Sequence, residues 1–181
     1  MNKLLGQYFT THKSLLSKIY EFIKNKPKKI LEPSLGMGHL VDYVLKQDNS
    51  IYFKMVEIDS SLEHLECIKR KDVIYTNFLH YDEEEKYTTI IGNPPYVKKK
   101  GGNIYIQFID KCIDLLKDNG ELIFIIPSNF FKMTSSSKTI KKMMKHGYIS
   151  DIYHPNDEHL FKDASIDILI FRYVKSQIKI K

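Results

Sequence analysis

The chain has 181 residues, enough for one domain with a sizeable core; 43% of them are hydrophobic and 28% are charged. This ordinary globular balance excludes an intrinsically disordered chain. The formal net charge is +6, and arginine occurs only at Arg70 and Arg172. A lysine-rich positive charge fits a polyanion such as nucleic acid. The codons of an AT-rich genome would also favour lysine, so the positive charge by itself is weak evidence for a nucleic-acid partner.

Cysteine usage and the apolar runs bear on the compartment. Cys67 and Cys112 lie far apart without a paired motif, which suits a reducing compartment and argues against a disulfide scaffold or a zinc ribbon. No apolar run is long enough to span a membrane, and the first residues are too polar for a secretory signal. His154 and His159 lack a convincing metal-ligand spacing. We therefore expect a cytoplasmic protein with no metal site and no membrane contact.

Strand-like apolar runs alternate along the chain with stretches that have apolar residues at helical spacing. In chain order, we predict a strand at 28–34, a helix at 36–46, a strand at 51–59, a helix at 60–71, strands at 72–78 and 87–92, a helix at 104–120 that stops at a glycine, a strand at 121–128, a basic helix at 138–148 and a strand at 165–175. The pattern predicts a doubly wound α/β sheet, in which ligands bind beyond the carboxyl ends of the strands.

Four polar residues fall at or just after the ends of predicted strands: Glu32, Glu57, Asn77 and Asn93. Strand ends are also simply where chains turn polar, which would explain any one of them. The spacing of all four, with glycines after the first, favours a shared crevice instead.

The stretch LEPSLGMGHL follows the first strand and places Gly36 and Gly38 where a backbone must come close to a ligand. Glu57 comes about twenty residues later, at the end of the second strand, where an acidic side chain can hold ribose hydroxyls. The chain lacks the lysine of a triphosphate-binding P-loop. Together these features predict a cofactor that contains a nucleoside.

The segment Asn93-Pro94-Pro95-Tyr96 follows the apolar strand at 87–92. Prolines fix φ, offer no N–H donor and hold the preceding residue extended. The result is a rigid arm with an amide oxygen and a backbone carbonyl, two acceptors that suit an NH2 group such as the amine of adenine. Tyr96 offers a face for stacking a planar group. A simple turn with a buried tyrosine is the competing interpretation.

With this segment and the motifs before it, the chain resembles the S-adenosylmethionine-dependent amino-methyltransferases. More narrowly, it resembles the N6-adenine DNA methyltransferases with gamma-type motif order. Beside NPPY, the resemblance rests on GQYFTT (6–11), LEPSLGMG (31–38), VEID (56–59), TNFL (76–79), the helix and strand over 105–131, and LFKDASIDILIFRY (160–173). It covers nearly the whole chain. It implies one catalytic domain over 1–181 with a mostly parallel, seven-stranded Rossmann-like sheet whose last strand is antiparallel.

The resemblance implies a binding site for S-adenosyl-L-methionine. Its residues would be Tyr8 and Thr10 in the motif that closes over the methionine end, Glu32, Gly36 and Gly38 along the methionine and ribose, Glu57 on the ribose hydroxyls, Ile58 against the adenine, Asn77 at the adenine amino group, and Phe78 and Phe108 as aromatic partners. Asn77 stands where the family usually has aspartate.

The resemblance also implies the chemistry. A target adenine would be flipped out of DNA and held between Tyr96 and Phe161, while Asn93 and the carbonyl of Pro94 hold its N6 amine. NPPY also occurs in RNA N6-adenine enzymes and in enzymes that methylate glutamine amides of release factors, and a catalytically inert cofactor-binding subunit is a further alternative.

In the gamma arrangement a target-recognition region follows the last motif, and the sequence stops just past that motif. We therefore expect that this region was trimmed, lies on a separate chain, or is absent from an enzyme with little sequence preference.

Overall fold

The computed structural model describes residues 8–99, 102–161 and 165–176. Its strands in chain order are β1 Lys29–Glu32, β2 Tyr52–Glu57, β3 Val73–Tyr75, β4 Tyr87–Gly92, β5 Lys98–Lys99, β6 Gly102–Asn103, β7 Leu116–Pro127, β8 Gly147–Tyr153 and β9 Ile168–Lys175. Seven of them form one sheet in the order β3-β2-β1-β4-β7-β9-β8, and β5 with β6 forms a small antiparallel pair. Within the large sheet only the last strand, β9, runs antiparallel to its neighbours, which confirms the predicted fold class.

Helices cover both faces of this sheet. They are α1 Lys13–Phe22, α2 His39–Gln47, α3 Ile104–Leu115 and α4 Ser137–His146. The helices α1 and α2 share one apolar cluster with Ile123 and Ile125 of β7, whereas α3 and α4 share the other with Leu122 and Phe124. Because successive strand residues point to opposite faces, the all-apolar run in β7 fills both cores. None of the helices in the described segments is long and apolar enough to cross a membrane.

The predicted helix over 60–71 is wrong, because this segment forms turns and a short 3-10 helix at Arg70–Asp72. Its polar groups form turn hydrogen bonds within the segment and bonds to the turn before α2, instead of a helix ladder. The side chain of Asp59 accepts a hydrogen bond from the Ser61 amide at 3.0 Å, the amide of Leu65 donates to the Met37 carbonyl, and Arg70 donates to the Ser60 carbonyl at 2.5 Å. The segment thereby packs over the turn that precedes α2.

Two helix boundaries also differ from the prediction. The helix α3 ends at Leu115 rather than at Gly120, because Leu116 already pairs with Tyr87 of β4. A Cβ on Gly120 would come within 2.9 Å of the Tyr87 carbonyl oxygen, so this glycine permits a close approach of two strands rather than stopping a helix. The helix α2 begins at His39 rather than at 36, since Gly36 and Gly38 adopt φ angles of 58° and 92°.

Candidate active site

A cavity of about 350 Å³ opens beyond the carboxyl ends of β1 to β4, within the size range of small-molecule sites. Nine of the predicted site residues line it, namely Tyr8, Gly36, Glu57, Ile58, Asn77, Phe78, Asn93, Pro95 and Phe108. Residues that the sequence prediction omits complete the wall: Phe9, Pro33, Ser34, Thr76, Leu79, His80, Val97, Ile104 and Gln107. Phe9 lies in the same N-terminal motif as Tyr8, and this position in the sequence could have identified it as a cavity residue.

The turn at Gly36 is held from two sides. Its amide donates to Oε2 of Glu57 at 2.8 Å, and its carbonyl oxygen lies 2.8 Å from Nδ1 of His64. The other ring nitrogen of His64 lies 2.8 Å from the hydroxyl of Tyr75, at the end of β3. Sequence reasoning missed His64, because a helix over 60–71 gives this side chain no specific partner.

Glu57 is 5% exposed and is held by three backbone amides. Its Oε1 accepts hydrogen bonds from Ile58 and Asp59 at 2.9 Å each, while Oε2 accepts the bond from Gly36. A carboxylate offers about four lone-pair sites, so one site is left for a ligand hydroxyl in the cavity. Next to it, the side chain of Ile58 is 49% exposed and presents an apolar surface to the cavity.

Another part of the cavity wall is aromatic. Phe78 and Phe108 are both buried, and their ring centroids lie 5.0 Å apart at an interplanar angle of 44°. Beside them Oδ1 of Asn77 accepts a hydrogen bond from the Leu79 amide at 3.1 Å, which shapes the turn that follows β3. The cavity therefore offers both an anchored carboxylate and an aromatic apolar surface.

The amide of Asn93 makes three hydrogen bonds at the edge of the cavity, which leaves one lone pair of Oδ1 for a further donor. Its Nδ2 donates to the carbonyl oxygen of Tyr8 at 2.7 Å and to Oγ1 of Thr10 at 3.0 Å. Its Oδ1 accepts a hydrogen bond of 2.5 Å from the Tyr96 hydroxyl, which also lies 3.1 Å from the carbonyl oxygen of Ile125. These contacts fix the direction in which the amide oxygen points. Burial raises the pKa of the Tyr96 phenol, so this group stays a donor.

Three aromatic rings meet beside Asn93. Tyr8 stacks on Tyr96 with centroids 5.4 Å apart, and it tilts against Phe161 at 5.8 Å. Tyr96 and Phe161 meet edge to face at 6.3 Å. The two rings predicted to sandwich a base are thus neighbours, but neither lines the large cavity, and Tyr8 packs against both.

Glu32 does not line the cavity, unlike the prediction from its position at a strand end. Its Oε1 accepts hydrogen bonds from the amide and hydroxyl of Ser34, whereas Oε2 has no hydrogen-bond partner among the described residues. Burial raises the pKa of Glu32 to about 8, against the hydrogen bonds from Ser34, which lower it. A Cβ on Gly92 would lie 2.9 Å from Oε1, so the glycine before Asn93 makes room for this carboxyl group.

Gly38, Thr10 and Pro94 also lie outside the large cavity. Gly38 is the N-cap of α2. A Cβ there would lie 2.7 Å from the side chain of Ile68, so a glycine is needed for Ile68 to pack against this turn. Thr10 lines a smaller adjoining pocket together with Tyr8 and Asn93.

The histidines near the last motif are surface residues. His154 lies 2.5 Å from Oδ1 of Asp167, and His159 is exposed. Within the described parts of the chain, no group of three potential metal ligands comes together.

Residues 15–161 match the family described as Eco57I restriction-modification methylase. The chain is 31% identical over 195 residues to the type II methyltransferase M.HincII of Haemophilus influenzae, in an alignment that covers 96% of this chain and 38% of that relative. It is 33% identical over 130 residues to ribosomal RNA small subunit methyltransferase A of Cytophaga hutchinsonii, which covers 67% of this chain and 48% of that protein.

The fold also recurs among solved structures. The M protein of the type I restriction enzyme EcoKI superposes with a TM-score of 0.77 at 18% identity, over 98% of this chain and 46% of that chain. The chain thus spans less than half the length of these relatives. Since the family match covers most of the sequence, the chain belongs to the Eco57I restriction-modification methylase family.

Proposed function

We propose that this chain transfers a methyl group from S-adenosyl-L-methionine to the N6 amine of adenine in DNA. The observation that carries the proposal is the amide of Asn93, whose oxygen is held in one direction between the cavity and the rings of Tyr96 and Phe161. The proposal covers the catalytic portion of an enzyme, and a target-recognition element on the same or another chain completes it.

The large cavity binds the cofactor in this proposal. Glu57 accepts a hydrogen bond from a ribose hydroxyl at its remaining acceptor position, and Phe78, Phe108 and Ile58, which also line the cavity, pack against the adenine. The φ of 58° at Gly36 lets the backbone turn directly under the ligand. The bound cofactor supplies an electrophilic methyl group on a sulfonium.

The protein's part in the reaction is to hold an amine and exclude water. Oδ1 of Asn93 and the carbonyl of Pro94 accept the two hydrogens of the target amine, which pulls its nitrogen towards sp3 geometry and frees the lone pair. No strong base is needed, because the nitrogen becomes acidic only once it gains a carbon. Positioning of this kind accounts for large rate effects. Tyr96 and Phe161 enclose the extruded base by stacking.

The similarity to a ribosomal RNA methyltransferase favours RNA adenine as the second candidate. A glutamine amide of a protein and a catalytically inert subunit are the remaining alternatives. A glutamine substrate needs no aromatic sandwich, so the pairing of Tyr96 with Phe161 argues for a base.

The test is methyl transfer from labelled cofactor to unmethylated duplex DNA, ribosomal RNA and a glutamine-containing peptide, followed by mass spectrometry of the digested products. N6-methyladenine from DNA supports the proposal; methylation of RNA or peptide alone, or methylcytosine, contradicts it.

The Asn93→Ala variant tests the residue that carries the proposal. We expect methylation to fall by about 100-fold or more, while calorimetric binding of S-adenosylhomocysteine stays nearly unchanged. Asn25→Ala is the matched control, because Asn25 also donates two hydrogen bonds, to the Thr88 and Asn119 carbonyls at the far end of β4. Retained turnover in Asn93→Ala would refute this assignment.

A further inference from the structure

Lys111 lies on α3, three residues after Phe108, so both side chains share one face of the helix. Its Nζ donates to the carbonyl oxygen of Phe78 at 2.6 Å and also to the carbonyl oxygen of Tyr81. The same ammonium lies 4.8 Å from the centroid of the Phe78 ring. One cation therefore binds the backbone and the ring of the residue at the aromatic wall.

The segment held by Lys111 forms a continuous part of the cavity. Five consecutive residues, Thr76 to His80, line it. Beyond β3 the segment leaves the sheet, so its carbonyl groups are no longer paired in a ladder. The turn is closed by amides of His80 and Tyr81 that donate to the Asn77 carbonyl. The carbonyl groups of Phe78, in the middle of the segment, and of Tyr81, just past it, both accept hydrogen bonds from Lys111, which joins the turn to α3.

The ammonium of Lys111 is partly withdrawn from water. Burial lowers its pKa, and the weaker influence of Asp82 and Glu83 raises it. The carbonyl oxygens and the π face of Phe78 replace part of the lost hydration. A cation held in this way fastens the turn more strongly than an uncharged donor would.

We propose that Lys111 is a positioning residue that sets the Phe78 turn against Phe108 and so shapes the adenine wall of the cofactor cavity, an inference that rests on the proposed cofactor site. Lys111 does not line the cavity itself and acts through Phe78. Its loss releases the turn and shifts the ring of Phe78 against that of Phe108, so the wall that these two rings form no longer fits the adenine.

The chain offers a closely matched control in Lys175. Its Nζ also donates to two carbonyl groups, those of Ile113 at 3.0 Å and Leu116 at 2.8 Å, at the end of α3 remote from the cavity. Replacing either lysine by methionine removes one ammonium and the hydrogen bonds that it donates to two carbonyl groups. Both variants should lose stability, and only Lys111→Met should change the cavity.

The experiment measures calorimetric binding of S-adenosylhomocysteine to the wild type, Lys111→Met, Lys175→Met and the milder Lys111→Gln, each well below its unfolding midpoint. We expect the Kd to rise about tenfold in Lys111→Met, the scale of one lost charged hydrogen bond, less in Lys111→Gln, and not at all in Lys175→Met. Equal Kd values for Lys111→Met and the wild type, or equal increases in the two methionine variants, would overturn the inference.

This measurement needs no nucleic acid, so it separates the role of Lys111 from the proposed substrate. Wild-type protein that binds S-adenosylhomocysteine without methylating DNA would sink the proposed activity and still test Lys111. Absence of binding by the wild type would overturn the inference together with the cofactor site. With active enzyme, Lys111→Met should raise KM for the cofactor while kcat at saturating cofactor stays unchanged.

Discussion

The ring and the hydroxyl of Tyr96 have separate roles: the ring offers a stacking surface, and the hydroxyl bonds to Asn93. From the sequence alone the ring is the functional part, and phenylalanine should replace it. The structure adds a 2.5 Å hydrogen bond from the hydroxyl to Oδ1 of Asn93, which orients the oxygen that we propose as acceptor for the target amine. We therefore expect Tyr96→Phe to slow single-turnover methylation by about two- to tenfold, the scale of one neutral hydrogen bond.

Tyr96→Ala removes the stacking surface as well and should be slower still, since base stacking contributes about 1–3 kcal/mol. Wild-type rates in Tyr96→Phe would show that the hydroxyl does not orient Asn93. Equal rates for the two variants would contradict a stacking role.

The sequence motif that contains Tyr8 indicates only some of the contacts that this residue makes. The resemblance assigns Tyr8 to the cofactor, and it does line the cavity, but its ring also packs on Tyr96 and Phe161. A base cannot enter between those rings unless Tyr8 moves away. Aromatic contacts of this kind are worth about 0.5–1.5 kcal/mol each.

We expect Tyr8→Ala to lower the KM for single-stranded DNA severalfold at saturating cofactor, because the base no longer displaces a ring. Tyr20→Ala is the control, since Tyr20 pairs with Tyr43 elsewhere in the fold at 6.4 Å. A higher KM in Tyr8→Ala would mean that Tyr8 helps to hold the base.

At the scale of elements, the sequence predicts best where one physical requirement dominates. Buried strands such as β4 and β7 are recognisable because both faces need apolar side chains. The edge strand β8 has alternating exposed and covered residues, and its basic and polar neighbours hide it from a search for apolar runs. The segment 60–71 has helical spacing, yet contacts made by His64 and Arg70 decide its conformation. Such long-range contacts cannot be read from local periodicity.

The same limit applies to Glu32 at the end of β1. Its position predicts a place in the crevice, but side-chain direction depends on the packing of Gly92 and Ser34. Burial instead makes this carboxyl group a weak acid with a pKa of about 8. The folded-state pKa lies above the unfolded value of 4.5, so stability linked to this group is fully present below the unfolded pKa and declines as the pH rises towards 8.

We expect Glu32→Gln, which mimics the neutral acid, to match the wild type near pH 4, below the unfolded pKa, and to exceed its free energy of unfolding by on the order of 4 kcal/mol near pH 9. Urea titrations across this range measure the difference. Glu85→Gln is the control: pairing with Lys29 lowers the pKa of Glu85, so the stability from this group is lost only in acid, and the difference between Glu85→Gln and the wild type should stay constant over the neutral range. Parallel stability curves for the wild type and Glu32→Gln would contradict a protonated Glu32.

For the whole molecule, the positive charge available to DNA is lysine. Both arginines are engaged within the fold: Arg70 bonds to carbonyl groups at Ser60 and Leu62, and Arg172 pairs with Glu121 and Asp151. Lysine attracts phosphate as a point charge and lacks the planar fork that reads guanine edges. Phosphate contacts orient a duplex but carry no sequence information. Binding of DNA by this chain should therefore depend steeply on salt and little on sequence.

The chain order indicates which lysines matter. Lys98 follows the carboxyl end of β4, and Lys132 and the first turn of α4, with Lys138, follow the carboxyl end of β7; all three are exposed. We therefore expect them on the side of the sheet where the cavity opens. Replacing these three by glutamine should lower the slope of log Kobs against log salt by about 2–3, at roughly 0.9 per phosphate contact. Fluorescence anisotropy with a random duplex over about 50–200 mM salt measures the slope.

The control replaces exposed lysines at the amino ends of the strands, namely Lys26, Lys28 and Lys117, and should leave the slope unchanged. Equal slopes for the two triple variants would contradict a DNA face at the cavity edge, and a sharp recognition motif among the adenines methylated by this chain alone would reveal a base-reading element within it.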